Sequence, residues 1–138
     1  MLSGTAEYAL RATLYIAQQD EAGGLVRSDQ IAEAIGLPRN YLSKILHTLA
    51  RAGILTSTRG PLGGFRLAKD PEELVLSRII EPFDPLKPGR SCILGRPECS
   101  DVNPCPAHDR WKGISEQMDR FFRGTTVGDL LKEKGSLI

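Results

Sequence analysis

The chain has 138 residues and no apolar run approaching the ~20 residues that a membrane-spanning helix needs. It also lacks an H-E-x-x-H pattern, a glycine-rich phosphate loop ending in lysine, and an evident nucleophile–base pair. These absences argue against a membrane protein and against an enzyme or electron carrier. The N-terminus has no basic n-region and carries Glu7 and Arg11, so we expect no signal peptide and a cytoplasmic location.

Acidic residues are missing from a 31-residue stretch, 39–69, which carries six basic side chains. These are Arg39, Lys44, Arg51, Arg59, Arg66 and Lys69. The whole chain has 18 Lys and Arg against 17 Asp and Glu, so the other 107 residues hold 12 basic and 17 acidic groups. A nearly neutral protein has therefore gathered its positive charge in one stretch, and we expect that stretch to attract a polyanion.

Cysteine is scarce, and all three cysteines, Cys92, Cys99 and Cys105, fall within one short window. An odd number in a protein expected in the cytoplasm argues against a disulfide framework. Thiolates are soft ligands suited to iron–sulfur clusters or zinc, and His108 lies one helical turn beyond Cys105, where it can turn toward the same point. The residues alone leave open an iron–sulfur cluster, a zinc site, or metal-free thiols that are oxidised reversibly.

Helical periodicity predicts three helices in the first part of the chain, at residues 5–19, 28–35 and 38 or 39 to 51. Ser28 is a plausible N-cap of the second helix, and Gly36 breaks the chain before the third. The third helix carries an apolar stripe of Leu42, Ile45, Leu46 and Leu49. Opposite the stripe lie Asn40, Ser43, Lys44, His47 and Arg51. Two helices joined by a tight glycine turn predict a helix-turn-helix whose second helix can read a DNA major groove.

Two short strands follow, at residues 54–57 and 65–68, joined by the sequence TRGPLGG. Proline and glycine shape this connection, and Arg59 stands at its tip, so the segment predicts a basic wing that can enter a minor groove. The fold class expected is mainly α with a small β-hairpin wing, a winged helix-turn-helix DNA-binding domain with a long C-terminal dimerisation helix.

The second half of the chain predicts a helix over 77–83, a loop over 84–105, a long helix over 106–122 and a short helix from Thr126 through Lys134. The long helix carries an apolar stripe of Trp111, Ile114, Met118 and Phe121. Spacings of 3, 4 and 3 are typical of a coiled-coil-like seam, and a second copy of the chain is the natural partner. We expect a DNA-binding domain at 1–83, a cysteine loop at 84–105 and a dimerisation segment at 106–138.

Four segments together resemble the IscR/NsrR-type family of bacterial winged-helix transcriptional regulators. They are SGTAEYALRATLYIA, YLSKILHTLARAGIL, TRGPLGGFRLAK and the cysteine cluster before the long helix. The resemblance covers nearly the whole chain, and the wing RGPLGGF in register with YLxxIL is its most specific element. It implies a homodimer on a pseudo-palindromic operator in double-stranded DNA. It also implies an iron–sulfur cluster on three cysteines and a variable fourth ligand, whose status alters DNA affinity.

The resemblance implies the following site residues. The DNA-binding residues that it implies are Asn40, Tyr41, Ser43, Lys44, Arg59, Gly60, Pro61 and Leu62. We add Ser28, Arg39 and His47 as further candidates from the helix-turn-helix itself. The cluster ligands are Cys92, Cys99, Cys105 and His108, with Glu7 donated by the partner subunit as a weaker candidate. A two-iron two-sulfur cluster is favoured over a four-iron four-sulfur cluster, with zinc as the alternative.

Two features depart from the family pattern. Six residues separate Cys92 from Cys99, where the best-known members have five, and Asp101 is uncommon between Cys99 and Cys105. The function expected is a regulator that senses redox state, iron or nitric oxide through the cluster. The alternative is a winged-helix regulator without a cluster, controlled by thiol oxidation, zinc or a protein partner.

Overall fold

Six α-helices and a two-stranded antiparallel hairpin form the described part of the chain. The computed structural model describes residues 2–21, 24–84 and 92–137. The elements are α1 (Gly4–Glu21), α2 (Ser28–Ile35), α3 (Arg39–Arg51), β1 (Leu55–Thr58), β2 (Gly64–Leu67), a 3-10 turn (Pro71–Glu73), α4 (Leu76–Ile80), α5 (His108–Gly124) and α6 (Val127–Leu131). The mainly helical class with one small hairpin is therefore confirmed.

Helix α1 lies at the centre of the packing, in contact with α2, α3, α4, α6 and β2. Its buried face is built largely of small side chains, including Ala6, Ala9 and Ala12, each with no exposed surface. Small side chains allow neighbouring helices to approach closely. The predicted apolar stripe of α3 is part of the same hydrophobic core. Burying one such side chain stabilises the folded state by about 1.5–3 kcal/mol relative to leaving it exposed.

The turn between α2 and α3 depends on Gly36. This residue has φ 70° in the left-handed region, and its N–H donates to the carbonyl of Ala32, which ends α2. Pro38 then lies in extended backbone as the N-cap of α3. The predicted N-cap at Ser28 is wrong by one residue: Arg27 is the cap, and its N–H donates to the side chain of Gln30 at 3.0 Å.

The hairpin pairs Leu55 with Leu67 and Thr58 with Gly64 at its two ends. Each strand is displaced by one residue from its prediction, with β1 beginning later and β2 earlier. The N–H of Ile54 donates to Leu49 O at the end of α3, so this residue still belongs to the helix exit. A bridge between Val26 and Phe65, with N···O distances of 2.9 and 2.7 Å, ties the wing to the segment before α2.

The chain after the wing folds back so that α4 and α6 contact α1. The N–H of Leu76 donates to Thr125 O at 3.0 Å, and the N–H of Val127 donates to Leu74 O at 2.8 Å. These bonds fix the end of α5 to the start of α4, and α5 contacts α4. Residues 92–105 are irregular as predicted, while 85–91 of the predicted loop lie outside the described residues. Residues 106–107, predicted to be helical, form a turn before α5.

Three helix bounds differ from their predictions. α4 begins one residue before its prediction, after the N-cap Val75, and it ends early because Glu81 serves as its C-cap. α5 begins at His108, whose N–H donates to Cys105 O, and it extends to Gly124. α6 ends at Leu131 rather than continuing through Lys134. Within the described residues, no helix has both the length and the apolar character that crossing a membrane requires.

A reciprocal capping box begins α6 and supplies a pH-dependent contribution to stability. Asp129 N–H donates to Thr126 Oγ1 at 3.0 Å, and Thr126 N–H donates to Asp129 Oδ2 at 2.9 Å. Hydrogen bonds from the backbone and side chain of Thr126, helped by the charge of Lys132, hold the pKa of Asp129 below its ordinary value of 3.8. The carboxylate therefore stabilises the folded state above that ordinary pKa.

We expect Asp129→Asn to lower the unfolding midpoint at neutral pH. Because the folded-state pKa is lowered, the difference from the wild type should shrink as the pH falls below 3.8 and through the lower folded-state value. Urea unfolding across this pH range measures the effect. Glu133→Gln is the matched control, since it removes the same charge outside the capping box. A difference that stays constant down to the lowest pH would contradict the assignment.

Candidate nucleic-acid interface and cysteine site

The outer face of α3 is polar and basic. Arg39, Asn40, Lys44, His47 and Arg51 are exposed along it, and Ser43 is half-buried. Ser28 is half-buried at the start of α2. Because the apolar stripe of α3 is buried in the core, the side chains on the opposite face of the helix must face solvent. Arg66, one of the basic residues of the 39–69 stretch, forms a salt bridge within the chain, with its guanidinium 3.0 Å from Asp20 Oδ1.

Tyr41 is held against α1 rather than projecting freely. Its hydroxyl lies 2.7 Å from Thr5 Oγ1, and its ring meets Tyr8 edge to face with centroids 5.9 Å apart. The guanidinium of Arg11 lies 5.5 Å above the Tyr8 ring. The residue remains 38% exposed, so part of its ring can still meet a ligand. The sequence predicted a groove-facing tyrosine and did not reveal this contact with α1.

The wing tip presents Arg59, Gly60, Pro61 and Leu62 to solvent, with Leu62 91% exposed. The turn closes through Gly63, whose N–H donates to Gly60 O at 3.0 Å. A Cβ at Gly63 would collide with the carbonyl oxygen of Thr58, so only glycine fits there. The tip is thus a tight loop that carries one base and one prominent apolar side chain.

Cys92 and Cys105 form the first pair of the cysteine site, with their Sγ atoms 3.8 Å apart and both side chains half-buried. The backbone folds in a turn after Cys92, where the N–H of Gly95 donates to Cys92 O at 3.0 Å. Hydrogen bonds from the N–H groups of Arg96 and Leu94 lower the pKa of the Cys92 thiol, and partial burial opposes them. Cys105 and the positive charge of Arg96 add to the lowering. Cys92 therefore loses its proton more readily than an ordinary cysteine, and thiolate is the form that binds metals.

Cys99 and His108 form the second pair, with Sγ and Nδ1 3.4 Å apart. His108 is the first residue of α5 and is only 6% exposed. Its other ring nitrogen, Nε2, lies 2.8 Å from Asp101 Oδ1. The same carboxylate oxygen lies 3.3 Å from Lys112 Nζ, one turn further along α5. The sequence pointed to Asp101 only as an unusual residue, and Lys112 was missed.

The four predicted ligands lie in two pairs, Cys92 with Cys105 and Cys99 with His108, and their joint role in holding a metal group stays a prediction. Within residues 2–21, 24–84 and 92–137, no three His, Cys, Asp or Glu side chains form a group that could hold one metal ion. Glu7 lies on the exposed face of α1, and its role toward a partner subunit stays a prediction.

The donor chemistry of the two pairs nevertheless fits a metal-containing group. Two sulfur ligands at ~2.3 Å from one tetrahedral metal are ~3.8 Å apart, and a sulfur with a nitrogen at ~2.0 Å are ~3.5 Å apart. The observed separations are 3.8 Å for Cys92 with Cys105 and 3.4 Å for Cys99 with His108. Each pair is therefore spaced as two ligands of a single metal are.

The apolar stripe of α5 is only partly covered within one chain. Ile114 is 52% exposed and Phe121 is 49% exposed, while Trp111 and Met118 are half-buried. The neighbouring Phe122 packs against the hydrophobic core instead. The helix thus uses one face for its own core and leaves part of another apolar face open.

A helix-turn-helix with a basic outer face, followed by a hairpin, defines the class of the protein: it is a winged helix-turn-helix DNA-binding protein. A family model described as Rrf2, iron-dependent transcriptional regulator, matches residues 2–133. The chain belongs to the Rrf2 family of transcriptional regulators. Membership confirms the resemblance inferred from the sequence and places the chain among DNA-binding regulators rather than enzymes.

Relatives match over nearly the whole chain. An Aquifex aeolicus (strain VF5) protein named as an HTH-type transcriptional regulator is 38% identical to this chain over 133 residues. The match covers 95% of this chain and 91% of the relative. The HTH-type transcriptional regulator IscR of Aliivibrio salmonicida (strain LFI1238) is 30% identical over 130 residues, 94% of this chain and 76% of the relative.

Solved structures show the same fold. CymR of B. subtilis, described as a global cysteine regulator, superposes with a TM-score of 0.80 at 23% identity, covering 98% of both chains. IscR of T. potens superposes with a TM-score of 0.73 at 24% identity, covering 96% of this chain and 86% of the other. At these identities the likeness concerns the fold alone, and it confirms the predicted winged helix with its long C-terminal helix.

Proposed function

We propose that this chain is a homodimeric, cytoplasmic regulator that binds a pseudo-palindromic operator and adjusts its affinity through a two-iron two-sulfur cluster. The observation that carries the proposal is the arrangement of four soft donors as two pairs, each spaced for one metal, beside the first residue of α5. IscR relatives and the iron-dependent description of the family support the same conclusion.

The two DNA-binding elements act on different grooves. The exposed face of α3 would enter the major groove, where Asn40 and Lys44 can reach base edges and phosphates. The wing tip would lie in the minor groove, with Arg59 drawn to its negative potential and Leu62 available as an apolar contact. The lack of acidic residues from 39 to 69 leaves this surface positive without raising the charge of the whole chain.

A second copy of the chain would cover the open apolar face of α5. Ile114 and Phe121 are the most exposed members of its stripe and would bury most surface on pairing. A two-fold axis along the paired helices would set two α3 helices about one DNA turn apart, ~34 Å, on the two halves of the operator.

The pairing of the ligands favours two metals over one. Cys92 and Cys105 would hold one iron, and Cys99 and His108 would hold the other. A single zinc needs four donors around one point, and the described residues do not offer three. A bound cluster of this kind supplies redox chemistry at the junction between the loop and α5.

The chain offers a continuous route from the cysteine site to α3. His108 begins α5, α5 packs on α4, and α4 packs on α1. Helix α1 contacts α3 through Thr5 and Tyr41, 2.7 Å apart. A change in how His108 is held would therefore alter the position of α5, and with it the spacing of the two α3 helices. Regulation of this kind requires different operator affinities in the two states.

The alternative function is a thiol switch without a cluster, and one observation favours it. Cys92 and Cys105 are close enough, at 3.8 Å, to form a disulfide with little movement. A peroxide would accept the two electrons, the two thiols would lose their protons, and water would be released. The two proposals differ in what the isolated protein contains.

We expect Lys44→Ala and Arg59→Ala each to weaken binding to an operator selected from random duplex DNA. The loss of a phosphate contact should reduce the slope of log affinity against log salt by about 1. Fluorescence anisotropy at several salt concentrations measures this slope. Lys134→Ala removes the same charge near the end of the chain and should leave the slope unchanged. Two variants that match the wild type at every salt concentration would contradict the assigned surface.

We expect protein purified without air to be coloured and to contain about two irons and two sulfides per chain, as a two-iron cluster requires. Iron, sulfide and zinc analysis with a visible spectrum checks this. Ser replacement at any one cysteine should lower the iron content, whereas Ser57→Ala, on the exposed side of the wing, should not. One zinc without sulfide, four irons per chain, or colourless protein with three free thiols would each contradict the cluster proposed.

A further inference from the structure

Four side chains form a continuous chain of contacts at the start of α5. Cys99 Sγ faces His108 Nδ1 at 3.4 Å, His108 Nε2 faces Asp101 Oδ1 at 2.8 Å, and Asp101 faces Lys112 Nζ at 3.3 Å. Of these, only His108 is buried. Its ring is therefore held between a thiol on one side and a carboxylate on the other.

The two ring nitrogens have different partners, and this difference decides their roles. A carboxylate accepts a hydrogen bond and cannot donate one when ionised, so the nitrogen facing Asp101 must carry the proton. In the neutral ring the other nitrogen, Nδ1, then has a free lone pair directed toward Cys99. A histidine that binds a metal commonly donates its second N–H to a carboxylate in this manner.

The loop and helix both position the carboxylate. Ser100 Oγ accepts from the N–H groups of Val102 and Asn103 at 3.2 and 3.1 Å, which folds the segment around Asp101 into a tight turn. Lys112 lies one helical turn after His108 on α5, so its ammonium reaches the same oxygen. The carboxylate is thus fixed from the loop side and from the helix side.

We propose that Asp101 is a positioning residue that holds His108 by Nε2, making Nδ1 the nitrogen that binds metal beside Cys99. This inference rests on the proposed function, since it assumes that His108 is a ligand. It assigns a purpose to the residue at which this sequence departs from its family pattern. Asp101 acts through the imidazole and does not itself bind the metal, because carboxylate oxygen suits harder cations than a thiolate-rich site selects.

The test uses Co²⁺ alone as the probe, titrated into metal-free protein under nitrogen and followed by its visible absorption. Cys99 and His108 would supply two of its ligands, and water would supply the others. Asp101→Ala should weaken Co²⁺ binding about 10–100-fold, the range typical for loss of a residue that orients a metal ligand. Asp101→Asn retains an oxygen that can accept from Nε2–H, so it should recover part of the affinity. Asp109→Asn, an exposed carboxylate on the first turn of α5, is the matched control and should bind as the wild type does.

A second measurement does not depend on metal. ¹⁵N NMR of metal-free protein, at a pH where the ring is neutral, should show His108 protonated on Nε2. In Asp101→Ala the ring should become a mixture of the two tautomers while circular dichroism shows the fold intact. In a His108→Ala background, Asp101→Ala should cause no further loss of Co²⁺ affinity, because its effect passes through the imidazole.

The outcomes separate the two proposals. If the wild type binds Co²⁺ and Asp101→Ala binds it equally well, the positioning role is wrong while the metal site stands. If Asp101→Ala still weakens binding in the His108→Ala background, Asp101 acts directly and the inference is also wrong. If the wild type binds neither Co²⁺ nor iron and sulfide, the metal site fails and the positioning role falls with it.

Discussion

The packing of α1 against both α3 and α4 is the constraint on which the rest of the structure depends. Its alanine-rich face, with Ala6, Ala9 and Ala12 fully buried, allows neighbouring elements to pack closely on α1, which contacts both α3 and α4. A larger side chain at any of these positions would push one neighbour away. The polar tie between Thr5 and Tyr41 then fixes α3 relative to the N-terminal turn of α1. Because protein interiors are tightly packed, a shift of α4 would displace α1 and, through α1, α3.

Electrostatics separate the two functional regions of the molecule. The positive surface comes from residues 39–69, where the chain holds no acid, although Arg66 is neutralised by Asp20. The cysteine site instead gathers soft donors around the buried ring of His108 and a backbone turn that favours the Cys92 thiolate. We propose that the first region binds a polyanion by charge and shape and that the second binds a metal group by ligand type. Helix α5 begins at His108 in the cysteine site and contacts α4, so it connects this site with the helical core.

Much of the fold was predictable because local patterns and the core agreed. The stripe of α3 and the break at Gly36 gave the helix-turn-helix, and the glycine-rich segment before Phe65 gave the wing. The sequence suggested candidate ligands for the cysteine site but did not show how they are arranged. Spacing along the chain does not show that Cys92 pairs with Cys105, or that Asp101 reaches His108, because loop residues meet through tertiary contacts. The anchoring of Tyr41 on α1 was missed for the same reason: its two partners lie more than 30 positions away.

In the proposed mechanism, operator affinity is coupled to the state of the cysteine site, and one comparison tests this coupling most directly. Operator affinity should be measured, at one fixed salt concentration, for the cluster-loaded protein and for the same preparation after anaerobic removal of its iron. A coupling of the usual size predicts affinities that differ about 5–150-fold. Equal affinities for two folded, dimeric preparations, one loaded and one stripped, would contradict the claim that the cysteine site controls DNA binding.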